Sequence, residues 1–288
     1  MGAACAAGFM PADPILDVRK LSRHFVSRRS VLGRPRQVIR AVDGVDLVVR
    51  AGTTLALVGE SGSGKSTLGR CVARLDHPTS GTVHFSGRDV FASYGEQLNQ
   101  FRREVQTIFQ DPFASLNPRR RVGDAIADGP IIHGLMTKSD VRDLVVRLLQ
   151  RVGLRPDHAD RYPHEFSGGQ RQRIAIARAL ALSPRFIVAD EAVSSLDVSV
   201  RAQILNLLAD IQAERSLSFL FISHDLGVVR HIADDVAIMQ AGKIVERGPS
   251  DEIFTSPRHS YTQALLRAVP RADPARRHRR RAAASLSA

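Results

Sequence analysis

The sequence predicts an α/β fold in which a phosphate-binding turn sits on an open sheet and a helical segment is inserted part-way along. Three observations predict it. The apolar run Thr54–Val58 leads into Gly59-Glu60-Ser61-Gly62-Ser63-Gly64-Lys65-Ser66-Thr67 and then into the helical pattern Leu68–Leu75, which is strand, glycine-rich turn and helix in order. Two further apolar runs, Phe186–Ala189 and Ser218–Ser223, end on Asp190-Glu191 and on His224, as strands of a sheet that carries polar groups at its carboxyl ends. From about residue 118 to 183 the pattern turns helical, with Val141, Leu144, Val145, Leu148 and Leu149 on one face.

Composition bounds what the chain can be. It has 288 residues, 43% hydrophobic and 24% charged, enough for a sizeable core in about two domains or one large one. Its two cysteines, Cys5 and Cys71, stand at neither disulfide-framework nor metal-ligand spacing, which suits a reducing compartment. Met1–Met10 lacks a basic region before Ala3–Ala7, so no secretory signal is read, and Met10 is an alternative start. No run approaches the roughly 20 apolar residues of a spanning helix, so membrane attachment would come through partners. The net charge is +12 and all but four of the 41 basic residues are arginine. No aromatics interleave with them as a nucleic-acid stacking groove requires, and no specific nucleic acid is expected. Much of the excess lies in Arg276–Arg281, a like-charge run expected to be a disordered tail.

In chain order, residues 1–13 read as a loose leader. Ile15–Leu21 is a strand followed by Ser22–Val26, and the polar, arginine-rich stretch from Ser27 to Val38 a surface loop. Val45–Val49 is the next strand, turned by Ala51-Gly52 into Thr54–Val58. Beyond the glycine-rich turn and its helix, Pro78–Gly81 leads into a strand at Thr82–Phe85, and Val105–Phe109 forms another. Ser139 is the expected N-cap of the helix that carries Val141. A second insert helix runs from about Gly169 to Leu182, stopped by Pro184. A helix from about Val200 to Arg215 follows the strand at Phe186, with Val200, Ile204, Leu207, Leu208 and Ile211 inward. Val236–Met239 and Lys243–Glu246 flank Gln240-Ala241-Gly242 as a hairpin, and beyond Gly248-Pro249 lies a C-terminal extension.

The chemistry follows from residue types. A triphosphate needs several N–H donors aimed at one point, and glycines let the backbone approach that closely. The helix starting near Lys65 adds its positive end, Lys65 a mobile charge for the β- and γ-phosphates, and Ser66 a hydroxyl for Mg²⁺. Asp190 would anchor the Mg²⁺ shell and Glu191 would orient and deprotonate a water. His224, at another strand end, is a candidate γ-phosphate contact. Phe25 could stack on a base or belong to the core. Ser167-Gly168-Gly169-Gln170, at a helix start, reads as an N-cap turn or as a second anion site, and a dimer would let it reach the first.

These motifs together resemble the ATPase subunits of ABC transporters. The resemblance rests on Ser167–Gln170, the phosphate loop about 100 residues before it and Asp190-Glu191 about 20 after, and it spans about 15–270. Within that family, Gln110–Arg119, Arg161–Arg173, Ala189–Ser199 and His259–Leu266 are similar to the oligopeptide/dipeptide/nickel importer branch. The resemblance implies a P-loop NTPase (RecA-like) core with an antiparallel β subdomain and an inserted α-helical subdomain. Its implied divisions are a nucleotide-binding domain at 14–250 with its helical insert at about 116–183, an extension at 251–272 and a basic tail at 273–288.

It further implies a dimer that sandwiches two ATP molecules, the phosphate loop of one subunit facing Ser167–Gly169 of the other. Gln110 resembles the Q-loop residue that contacts Mg²⁺ and senses the γ-phosphate, and Asp197 the D-loop residue that couples the two sites. Phe25 takes the place of the adenine-stacking aromatic, although the loop after it makes its distance from Gly59 long. Phe166 stands where the family usually has leucine. The expected partners are transmembrane permease subunits, a second ATPase subunit and, indirectly, an extracytoplasmic solute-binding protein. The expected place is the cytoplasmic face of the inner membrane. The competing expectation is a cytosolic ABC-type ATPase acting on nucleic acid or the ribosome.

Overall fold

The computed structural model describes residues 14–26, 38–111 and 115–268. The leader at 1–13, the loop at 27–37, Pro112–Ala114 and everything from 269, the basic tail included, lie outside the described residues.

Two sheets carry the fold. The first is antiparallel, in the order β2-β1-β4-β5, from β1 (Pro14–Val26), β2 (Val38–Arg50), β4 (Ser80–Phe85) and β5 (Arg88–Asp89). The second has the order β10-β9-β3-β8-β7-β6. In it β9 (Asp235–Gln240), β3 (Thr54–Val58), β8 (Ser218–Ser223), β7 (Phe186–Asp190) and β6 (Val105–Ile108) are parallel, and β10 (Lys243–Pro249) closes one edge as an antiparallel hairpin with β9.

The central strands are apolar at nearly every position because both their faces are covered. Side chains alternate across a strand. Phe186 and Val188 of β7 and Leu220 and Ile222 of β8 therefore face a core shared with β1, β2, β4 and α1 (Lys65–Val72). Ile187, Ala189, Phe219 and Phe221 face the opposite core, under the helices α5 (Gly168–Leu180) and α6 (Val198–Arg215). That second core continues through α3 (Val122–Ile132) and α4 (Val141–Arg151), whose Val122, Ile126, Val145 and Leu149 are buried. A third cluster lies behind β3 and β9, where Ala56, Val58 and Ile238 meet α7 (Leu226–Ile232), α8 (Ser250–Thr255) and α9 (Ser260–Ala268).

Several local expectations are corrected. The stretch from 38 to 44 is strand: β2 begins at Val38, and its exposed first half is held by pairing with β1 through Val26↔Val38, Phe25↔Ile39 and His24↔Arg40. Ser139 is not the cap of α4. Asp140 occupies that position without a capping bond, because the Thr137 and Ser139 hydroxyls both donate to its carboxylate, at 2.6 and 3.1 Å. Ser139 stands one residue before the cap position, and its hydroxyl donates to Asp140. The helices α2 (Gly95–Glu104) and α7 have no counterpart in the sequence reading, α8 and α9 lie in the extension to which it gave no structure, and α3 falls in the stretch it read as helical without being singled out.

The two sheets are stitched by aromatic rings. Phe85 of β4 meets Phe186 of β7 edge-on, with ring centroids 6.1 Å apart, and it also meets Phe101 of α2 at 5.8 Å. Phe186 is fully buried. Phe186→Ala is expected to lower stability by about 3–5 kcal/mol, the usual cost of a deleted core aromatic. Urea unfolding followed by circular dichroism checks it, and a midpoint like that of the wild type would show that the sheets do not depend on this contact.

Candidate functional site

Register places the polar strand ends side by side. Val58 pairs with Ser223, Asp190 with Ile222 and Ala189 with Ile108, so the segments starting at Gly59, His224, Glu191 and Phe109 leave one edge of the sheet together. This is where an open α/β sheet binds its ligands.

The turn at 59–67 has no room for larger residues at two points. A Cβ at Gly59 would lie 2.1 Å from the Met239 carbonyl oxygen of β9. Gly64 has φ +105°, and a Cβ there would lie 2.0 Å from the Ala41 carbonyl oxygen of β2. The turn is therefore wedged between both sheets. The Gly242 N–H donates to the Ser63 carbonyl at 2.9 Å, and the Gly242 carbonyl accepts from the Asp43 N–H at 2.9 Å, so the β9–β10 hairpin clasps it to β2. Ser61 and Gly62 form the exposed crest, and Lys65, Ser66 and Thr67 open α1.

Lys65 is only 4% exposed. Its amine donates to the Gly59 carbonyl at 2.8 Å, the Glu60 carbonyl at 2.7 Å and the Ser63 hydroxyl at 3.3 Å. Burial pulls the amine below its usual pKa, opposed by the nearby carboxylates of Glu191, Asp190 and Glu60. The Ser66 hydroxyl donates to Asp190 Oδ1 at 2.8 Å. Burial pushes Asp190 above the usual carboxylate range; the Ser66 hydrogen bond opposes this and the adjacent Glu191 charge adds to it. A hydroxyl beside a half-buried carboxylate is a hard-oxygen pair, the donor type that Mg²⁺ prefers. Ser66 and Asp190 fit that ion.

Glu191 leaves the strand with φ +47°, a conformation rare for a residue with a side chain, while its N–H still bonds the Ile222 carbonyl at 3.0 Å. One carboxylate oxygen accepts from Gln110 Nε2 at 3.0 Å, and the other lies 3.3 Å from His224 Nδ1. The structure thus brings Gln110, Glu191 and His224 together from three strand ends. The His224 turn is fixed by neighbours that the sequence reading passed over. Asp225 caps α7 through the N–H groups of Gly227 and Val228, and its other oxygen accepts from Arg201 at 2.7 Å. Nothing in a lone Asp after His224 signals this, because Arg201 comes from another helix.

Ser167 and Gln170 bond each other's backbone in a capping box at the start of α5: Gln170 N–H to Ser167 Oγ at 3.3 Å and Ser167 N–H to Gln170 Oε1 at 3.0 Å. Asp197 caps α6 by accepting the Val200 N–H at 2.9 Å, and that bond with the Ser199 hydroxyl holds its carboxyl below the usual range. The two turns meet at Val200, since a Cβ on Gly169 would lie 2.4 Å from Val200 Cγ1. Gly168 faces open space: a Cβ there would touch nothing within 4 Å. Phe25 is the penultimate residue of β1 and pairs with Ile39, two residues from Ala41; it is 41% exposed, with the Arg23 guanidinium 4.6 Å from its ring centroid.

The C-terminal extension also reaches the loop, which the sequence reading did not anticipate. The Glu60 N–H donates to the Tyr261 hydroxyl oxygen at 3.2 Å.

The chain is similar to known proteins over most of its length. A family profile described as "ABC transporter" matches residues 42–194, and one described as "Oligopeptide/dipeptide transporter, C-terminal region" matches 245–287. The chain is 48% identical over 268 residues to the dipeptide transport ATP-binding protein DppF of Escherichia coli (strain K12), covering 93% of this chain and 80% of that one. It is 52% identical over 269 residues to the glutathione import ATP-binding protein GsiA of Salmonella typhimurium, covering 93% of this chain but 43% of that one. The chain thus spans less than half the length of the glutathione import relatives. Among solved structures, the ATP-binding cassette MJ0796, a dimer in a post-hydrolysis state bound to ADP and Pi, superposes with a TM-score of 0.72 at 26% identity, over 82% of this chain and 98% of that one. CbiO1 of Clostridium perfringens superposes with a TM-score of 0.71 at 27% identity, over 85% and 92%.

Gly64→Ala should remove the turn's shape, since the added carbon meets backbone and not a side chain that could swing aside. Affinity for tripolyphosphate or ATP, measured by calorimetry, is expected to fall by at least about tenfold, the effect of misplacing one or two charge-assisted hydrogen bonds. Wild-type affinity would show that the loop tolerates another shape.

Proposed function

We propose, because this chain belongs to the ABC transporter family, that it is the ATP-hydrolysing subunit of an importer for peptides or related small solutes. The observation that carries the proposal is the placement of Glu191, held between Gln110 and His224 at the sheet edge that also bears the phosphate turn. The relatives' names favour import over the nucleic-acid or ribosome reading, and both of those named substrates, dipeptides and glutathione, are short peptides.

In this reading the N–H groups of 61–67 and the start of α1 receive the phosphates, and Lys65 bridges the β- and γ-phosphates. Ser66 and Asp190, joined by Gln110, would hold Mg²⁺, which supplies charge neutralisation on the phosphate oxygens when bound. Glu191 accepts the proton of the attacking water, which takes its place by exchanging with one of the two present partners of the carboxylate. His224 contacts the γ-phosphate and keeps Glu191 aimed. Phe25 stacks on the base. Ser167–Gln170 and Asp197 act on the ATP of a second ATPase subunit, of this chain or a related one. The exposure of Ser167 and the open space at Gly168 support this, since among the described residues nothing lies within 4 Å of where a Gly168 Cβ would be.

We propose residues 14–250 as the nucleotide-binding domain, with 116–183 as its helical insert and 251–272 as the extension. Among the described residues no helix is long and apolar enough to cross a membrane. The importer names of the relatives support a subunit that works peripherally, at the cytoplasmic face of the inner membrane, through separate permeases that a binding protein loads. Closure of the ATPase dimer on ATP drives the permeases, and hydrolysis resets them.

Two experiments test this. Glu191→Gln keeps the hydrogen-bonding shape and removes the base, so ATP should still bind while turnover falls by about 10²–10⁴-fold, the range for losing a general base. Phosphate release by the purified variant at the wild-type rate would refute the role of Glu191. The full chain, expressed in its own host and purified from detergent-solubilised membranes, should bring down a polytopic membrane subunit. Recovery with ribosomes or DNA at physiological salt would instead favour the alternative reading.

A further inference from the structure

We infer that Tyr261, in the C-terminal extension, is a positioning residue for Lys65, acting through the single peptide plane that joins Gly59 to Glu60. The inference rests on the reading of 59–67 as the ATP site and adds to it a residue from outside the core.

The geometry is a relay. A trans peptide points its N–H and its C=O in opposite directions. At one end of the 59–60 plane the Glu60 N–H donates to Tyr261 Oη at 3.2 Å; at the other the Gly59 carbonyl accepts from Lys65 Nζ at 2.8 Å. The next carbonyl, of Glu60, takes a second Lys65 hydrogen at 2.7 Å. A rotation of this plane therefore moves the Gly59 carbonyl, one of the three acceptors that orient the lysine, and disturbs the adjoining plane that carries the Glu60 carbonyl. Hydrogen bonds at the two ends of one amide also polarise it in the same sense, so each strengthens the other. The lysine amine is buried and depends on these acceptors, because an ammonium taken out of water has no substitute for them.

Tyr261 is itself well held, as a positioning group must be. Its ring packs against the cluster formed by Ala56 and Val58 of β3, Leu226 and Val229 of α7, and Ile253 of α8. The turn before α9 is tied to β10, where the Glu246 carboxylate accepts the N–H groups of Arg258 at 2.7 Å and His259 at 3.0 Å. The Tyr261 N–H donates to His259 Nδ1 at 3.2 Å, and the next residue, Thr262, is fully buried. The hydroxyl is thereby presented to Glu60 from a fixed base on β10.

The test is a double-mutant cycle on the full 288-residue chain, with ATP affinity read by calorimetry for the wild type, Tyr261→Phe, Lys65→Ala and the double variant. Tyr261→Phe removes only the hydroxyl and is expected to weaken ATP about fivefold, the effect of one ordinary hydrogen bond. In the Lys65→Ala background the same change should have little further effect, since groups acting as a unit are not additive. In parallel, amide hydrogen exchange should quicken in the peptide covering 59–65 and stay unchanged in 218–223. Unaltered affinity and exchange in Tyr261→Phe would overturn the inference alone. Equal losses in both backgrounds would also overturn it, by showing that the hydroxyl serves general stability. A wild-type chain that binds no ATP would overturn the proposed function, and this inference with it.

Discussion

A loop that offers its amide hydrogens to a polyanion has few left with which to hold itself, so its shape must be imposed from outside. Much of this fold answers that constraint. β2 comes within contact of Gly64 and β9 within contact of Gly59, leaving space for hydrogen alone at each alpha carbon. The β9–β10 hairpin donates to the Ser63 carbonyl, and α9 accepts from Glu60. The bonds that fix the turn thus use its carbonyls, the N–H groups of Glu60 and Ser63 and the Lys65 amine, while the crest at Ser61 and Gly62 stays exposed. Both sheets and the C-terminal extension are needed because each closes a different side.

The second demand is that consecutive carboxylates do different work. In a strand that simply continued, Asp190 and Glu191 would point to opposite faces. The left-handed turn at Glu191 ends the strand there, and both carboxylates stay close enough to Lys65 to act on its charge. Such a conformation costs on the order of 1–3 kcal/mol and persists where the surroundings over-determine it. Here the Glu191 N–H is taken by β8, its carbonyl by Ser194, and its carboxylate by Gln110 and His224. A strained residue held on every side is already organised before a substrate arrives.

What the sequence made legible follows from how each element earns its burial. β3, β7 and β8 are covered on both faces, so their apolar runs are unbroken and their ends could be read to within a residue, along with the polar groups that follow. α2 buries only Phe101 in ten residues, and α7 has seven residues, too short to display a period. α3 lies inside the stretch read as helical, but Gly129 and Pro130 near its end are helix breakers that mask it as a separate element. The first half of β2 is exposed and is held by its partner strand, a long-range cause that no local pattern records. The same limit applies at the site. Gly59–Thr67 announce themselves, but the roles of Tyr261, Asp225 and Val200 arise only where distant segments meet.

In the proposed dimer, charge gives the two subunits a reason to meet. Around the turn the structure sets one buried ammonium, Lys65, beside two carboxylates, Asp190 and Glu191, with a third on Glu60; the Arg70 guanidinium also acts on Asp190 but is itself paired with Asp76. A nucleoside triphosphate adds several negative charges to a site that is already acidic. The start of α1 contributes a partial positive charge of about half an elementary unit, which cannot balance them. In the proposed reading the remainder would come from a divalent cation, for which Ser66 and Asp190 are the matching donors, and from a further positive end on a second subunit. The start of α5 is such an end: its cap is satisfied internally, yet Ser167 and Gly168 stay exposed. Two subunits facing each other head to tail would each complete the other's balance, so that the phosphates would attract the subunits into the closed dimer.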